Sequence, residues 1–168
     1  GLEDLAVFER GWLSSNNILL HGASDGEGAT LIDSGHCLHG AQTVALVKRA
    51  LRPGQDLSRV VNTHLHSDHC GGNAELQRAF GARVVIPPGE ADAIARWDED
   101  ALSYRATGQR IERFTHEELL RAGDTLRVGR RHWQALSAPG QDPHSLSLFD
   151  AHDGVLISAD ALWEKGFG

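Results

Sequence analysis

From Thr63 to Gly72 the chain reads Thr-His-Leu-His-Ser-Asp-His-Cys-Gly-Gly. Neutral imidazole and carboxylate are the donors that divalent zinc, iron or manganese accept, so His64, His66, Asp68 and His69 are candidate metal ligands. Alternate residues of an extended chain face the same way. His64 and His66 can therefore share one ion if the loop leaves a strand extended. Asp68 and His69, past the bend, are placed for a second ion beside the first. The plain alternative is a solvated polar loop in a chain that carries ten histidines.

These side chains need a rigid frame, and the flanking sequence describes one. Leu5–Phe8, Asn17–Leu20 and Ala29–Ile32 suit short strands separated by Gly, Ser and Asp turns. From Gly40 to Leu51, Ala41, Val44, Ala45, Val47 and Leu51 recur at helical spacing, and Pro53-Gly54 ends the run. Arg59–Asn62 is the buried strand that delivers the loop. A helix over Asn73–Phe80, closed by Gly81, and a strand over Arg83–Ile86 follow. This alternation of strand and helix implies an α/β arrangement. Further on, the spacing predicts a helix from Gly89 to Arg105 and a short one from His116 to Arg121. Four strands then lie near Thr125–Val128, Trp133–Ser137, Ser145–Phe149 and Val155–Ser158.

His64-x-His66-x-Asp68-His69, after a short apolar strand and before Gly71-Gly72, resembles the signature of the metallo-β-lactamase superfamily. The resemblance implies a four-layer αββα sandwich, two zinc ions (iron or manganese being alternatives) and hydrolysis by a metal-activated water. It also implies a single domain over residues 1–168, a partial version of the fold lacking its C-terminal closing elements. Asp160, after the apolar run Val155-Leu156-Ile157, matches the aspartate that bridges the two ions in the family. Its alternative is a cap on the following turn. Asp33 matches an aspartate that hydrogen-bonds the metal loop and fixes its shape, with a turn role before Ser34-Gly35 as the alternative.

The chain departs from that pattern in two places. Where the family has Pro-Gly-His, this sequence reads Pro139-Gly140-Gln141. A glutamine amide oxygen matches zinc less well than imidazole, so this ligand position is degraded and its ion is expected to be weakly held. His144, three residues on, is open to three readings: a substitute ligand, a substrate contact, or packing at the start of a strand. The second departure is that few residues follow Asp160, leaving none for the family's late histidine. The chain is therefore expected to be a fragment, or a domain completed by a partner chain.

Composition narrows the function classes. With 168 residues and a net charge of -7, one domain is expected. Broad nucleic-acid binding is not, because it needs clustered Lys and Arg. No apolar run approaches the roughly 20 residues of a membrane span, and the first residues lack a secretory signal, so a cytoplasmic protein is expected. Cys37 and Cys70 are expected to be free thiols, and the other six histidines to be surface or satisfied residues. The absence of methionine points to a trimmed or excised chain.

The leading expectation is a metal-dependent hydrolase of a small ester or thioester, similar to hydroxyacylglutathione hydrolase, with Asp68 also handling the proton of the attacking water. One rival is a non-catalytic, degenerate member that binds metal weakly or acts through a partner chain, with an unfinished sheet edge that favours a homo-oligomer. Another is a redox protein holding non-haem iron on the same ligands.

Overall fold

The computed structural model describes residues 2–11, 13–24 and 26–162. Its strands are β1 (Leu5–Phe8), β2 (Asn17–Leu20), β3 (Ala29–Ile32), β4 (Leu57–Val61), β5 (Arg83–Ile86), β6 (Glu118–Leu119), β7 (Thr125–Val128), β8 (Arg131–Ser137), β9 (Leu146–Asp150) and β10 (Val155–Ile157). The helices are α1 (Gly40–Ala50), α2 (Ser67–Cys70), α3 (Asn73–Phe80) and α4 (Ala91–Arg96). None is long and apolar enough to cross a membrane.

Strands β1 to β6 form one sheet in sequential order, antiparallel through β1, β2 and β3 and parallel from β3 to β6. The parallel pairs require crossovers, and the α1, α3 and α4 connections supply them. The second sheet is an antiparallel meander in the order β10-β9-β8-β7.

Two apolar cores follow from strand alternation. Leu19, Leu31, Val60, Val84 and Ile86 face the helices and meet Val47, Leu76 and Ile94. Their neighbours Leu20, Ile32, Val61 and Val85 face the second sheet and meet Leu126, Trp133, Ala135 and Leu148. The first sheet is therefore buried on both faces. The outer face of β8 is exposed at His132 and Gln134, so the described residues supply three layers of the αββα sandwich. The inter-sheet space stays open beside β1 and β10 as a groove of about 510 Å3, walled by Leu5, Val7, Ile18 and Val155 and reaching Asp68, His69 and Asp160.

Two expected helices are corrected. The segment 89–105 is helical only through Arg96, because Trp97 takes a left-handed conformation (φ 57°) and closes α4. The chain then turns repeatedly and brings Leu102 and Tyr104 into the first core. The segment 116–121 contains β6, which pairs with β5 at the sheet edge. Both cysteines are free thiols, as expected.

Candidate metal centre

The candidate site lies at the carboxyl ends of β3 and β4, where ligand sites of open α/β sheets gather because loops and helix starts converge there. Asp33 follows β3 in a left-handed conformation, φ 58°. This uncommon geometry turns its carboxylate back over the loop that leaves β4. The Thr63 amide donates to Asp33 Oδ1 at 2.8 Å, and the Thr63 hydroxyl donates to Oδ2 at 2.8 Å. His69 Nδ1 lies 2.8 Å from the same Oδ2. A proton on Nδ1 for that bond leaves the Nε2 lone pair pointing into the site, the arrangement by which a carboxylate orients a metal-binding imidazole.

His64 and His69 are almost wholly buried and their rings lie 3.9 Å apart. Asp160 reaches them from the end of β10, on a 3-10 turn whose first residue, Ala159, also has a positive φ of 48°. One of its oxygens, Oδ1, is 3.1 Å from His69 Nε2, and the other, Oδ2, is 3.7 Å from His64 Nε2. Ligand atoms of His64, His69 and Asp160 lie within 4.8 Å of one another, a spacing that one or two ions can span.

His66 and Asp68 flank this trio on opposite sides. His66 Nδ1 is 3.1 Å from His64 Nε2, so these two imidazoles lie side by side. Asp68 Oδ2 is 3.5 Å from His69 Nε2, and the side chain is more exposed than the rest of the site. Gln141 joins His64, Asp142 and Asp160 around a small cavity of about 170 Å3. The His144 ring lies over Gly89, where an added Cβ would sit 2.2 Å from it.

The donors fit a divalent cation. His69 Nε2 is a buried nitrogen with no hydrogen bond of acceptable geometry, although carboxylates lie on two sides of it. Burial works against a charge on His69, but Asp33, Asp160 and Asp68 overcome it and push the imidazole up to about 10. Burial, reinforced by the neighbouring His69, takes His64 down to about 4, so it presents a neutral lone pair. Burial opposes ionisation of Asp160, yet its close contact with His69 and the charge of His69, His64 and His66 hold its carboxyl below the usual range. The pocket therefore concentrates negative charge around a ring nitrogen, and a cation there would take the place of the proton that His69 otherwise attracts.

Several contributors had no sequence signal. Thr63 links Asp33 to the loop. Tyr104, 1% exposed, donates its hydroxyl to the Leu65 carbonyl at 2.8 Å, between the paired histidines. Asp142, 5% exposed, sets Oδ2 4.0 Å from His66 Nε2. Only their contacts mark them, since Thr, Tyr and Asp occur in many other roles. Among the unassigned histidines, His21 bonds Gln55 at 2.7 Å and His36 caps the turn at Leu38.

Residues 10–168 match the family profile described as the metallo-beta-lactamase superfamily, and the chain belongs to that superfamily. It is 31% identical over 150 residues to a hydroxyacylglutathione hydrolase of Rhodopseudomonas palustris, covering 89% of this chain and 49% of that protein. The chain thus spans about half the length of the curated relatives it matches. The BLEG-1 B3 metallo-beta-lactamase superposes with a TM-score of 0.75 at 24% identity, over 98% of this chain and 75% of that one. A motif mutant of a Cronobacter sakazakii metallo-beta-lactamase gives 0.72 at 26% identity, over 96% and 64%.

Proposed function

We propose that the chain carries the cation-binding half of a hydrolase for small esters or thioesters. The observation that carries this reading is the two-sided presentation of Asp160, one oxygen toward His64 and the other toward His69. In this reading His64, His66 and Gln141 would hold one cation and Asp68 and His69 a second, with Asp160 available to either. Zinc is the cation we favour, since imidazole and carboxylate both suit it; iron and manganese remain chemically compatible. When bound, such ions supply the Lewis acidity that ionises water near neutral pH and balances charge developing on an acyl carbonyl. The protein's share is positional. Asp33 holds the His69 ring, His64 is kept neutral by burial, and Asp68, the most open carboxylate of the site, can accept a proton from water at Oδ2. The thioester preference rests on the similarity to hydroxyacylglutathione hydrolase.

Gln141 supports a second reading, in which the chain binds metal weakly and does not turn over. Metal analysis of the purified chain and of Gln141→His, with hydrolysis of a hydroxyacylglutathione followed in each, separates the two. The hydrolase reading expects two ions per chain and measurable turnover in the variant. Metal uptake without turnover in both proteins supports the second reading. No metal in either defeats the centre itself.

A further inference from the structure

The loop that carries His64 to His69 is fastened at its neck by the two residues that flank it. Asn62 precedes the loop and Asn73 follows it, and both are 0% exposed. Asn73 Nδ2 donates to Asn62 Oδ1 at 2.7 Å, and Asn62 Nδ2 lies 3.4 Å from Asn73 Oδ1. Asn62 Nδ2 also donates to the backbone carbonyl of His69 at 3.1 Å. That carbonyl can only accept, which fixes the orientation of the Asn62 amide and leaves Oδ1 facing Asn73.

The His69 carbonyl belongs to α2, a helix of four residues too short to supply its terminal carbonyls with partners from within. Three donors converge on it: Asn62 Nδ2, the Ser34 amide at 2.7 Å and the Ser34 hydroxyl at 3.1 Å. The Gly72 amide in turn donates to Ser34 Oγ at 3.1 Å. The main chain of His69 is therefore fixed from β3, from the end of β4 and from the start of α3, while Asp33 fixes its ring.

We propose that the Asn62–Asn73 amide pair, acting with Ser34 through the His69 carbonyl, is a positioning device that sets where His69 Nε2 meets a bound cation. This rests on the metal-centre reading above. Neither asparagine touches the site; both act through the backbone of a residue that does.

The test compares the full chain with Asn62→Asp and Ser34→Ala. Zinc affinity is measured by competition with a chromophoric chelator, geometry by the visible absorption of the cobalt-substituted protein, and stability by thermal unfolding of the metal-free forms. Asn62→Asp keeps the shape and the acceptor for Asn73, but when ionised has no proton to give the His69 carbonyl. Its added negative charge would by itself attract a cation, so weakened binding reports lost positioning rather than lost charge. The expected result is a loss of roughly tenfold or more in zinc affinity with a shifted cobalt spectrum, as for other supports of metal ligands. Ser34→Ala keeps the Ser34 amide and should lose less, with a spectral shift in the same direction. Parental affinity and a superimposable cobalt spectrum in Asn62→Asp would overturn the proposal, whatever its melting temperature. If that variant does not fold, an unchanged Ser34→Ala overturns it instead. A parent chain that takes up neither zinc nor cobalt removes the metal centre and this inference together, whereas normal uptake by parent and variants alike removes only this inference.

Discussion

Asp33 Oδ2 and His69 Nδ1 lie 2.8 Å apart with both side chains almost fully buried, and the Asp33 backbone that presents the carboxylate is left-handed. Asparagine tolerates the same backbone region, so Asp33→Asn separates shape from charge. We expect it to fold and to lose about 10- to 100-fold in zinc affinity, the usual cost of removing the partner that orients a ligand. Isothermal titration of the metal-free chain measures this, and an affinity within twofold of the parent would contradict it.

Gly72→Ala tests the close approach of the loop to β3. An added Cβ would sit 2.6 Å from the Ser34 carbonyl oxygen and 3.2 Å from its Cβ. Backbone must move to admit it, at a cost of about 1–3 kcal/mol. Chemical denaturation should show that loss, together with weaker zinc binding, since Ser34 is also a partner of the His69 carbonyl.

Glu90, next to the Gly89 that the His144 ring covers and within the field of Asp142, gives a pH dependence of its own. Burial, with the charge of Asp142 added, pushes its carboxyl up to about 7 from the model-compound value of 4.5. The folded chain therefore holds this proton more tightly than the unfolded chain does. Its contribution to stability is complete below pH 4.5 and is lost as the pH rises through 7. Glu90→Gln should leave stability near pH 4 little changed and raise it above pH 7 by about 1 kcal/mol, a figure reduced for solvent screening of a partly exposed group. Melting curves of the metal-free proteins at both pH values check the sign.

Arg131 ties the chain's beginning to the second sheet. It is 6% exposed, with Nε 2.8 Å from Asp4 Oδ2 and a terminal nitrogen 2.6 Å from Asp150 Oδ2 and 2.8 Å from Asp153 Oδ2. Arg131→Met keeps length but strands the buried Asp150, a loss of about 3–5 kcal/mol by analogy with other broken buried pairs. Asp150→Asn in the same background should recover part of it, a recovery that urea denaturation would detect.

The residues that could be read in advance are those whose roles are local. β1, β2, β3, α3 and β5 have the ends their patterns predict, because alternation, Gly81 and the apolar runs are all short-range signals. The loop from Thr63 to Gly72 stood out equally, since its candidate ligands stand side by side in the chain. The long helix at 89–105 was not. Leu102 falls at a spacing a helix would bury, but turns deliver it, together with Tyr104, to the same core once Trp97 has closed α4. Asn62, Asn73, Thr63 and Tyr104 were silent because their importance lies in what folding brings against them. Gln141 was visible as a departure, and the structure adds that it lines a cavity with His64 and Asp160.

Asp160 arrives on the last strand of the second sheet, while His64 and His69 belong to a loop of the first. They can meet only after the sheets have docked, so tight cation capture would be a late event in folding and would report that docking had succeeded. A cation taken up only by the folded chain adds RT ln(1 + [L]/Kd), about 2.7 kcal/mol at a hundredfold excess over Kd. That stabilisation would act across the seam between the sheets, beside the groove left open at β1 and β10. A bound cation would thus also be a fastener, and chelation should then loosen the seam before it melts either sheet.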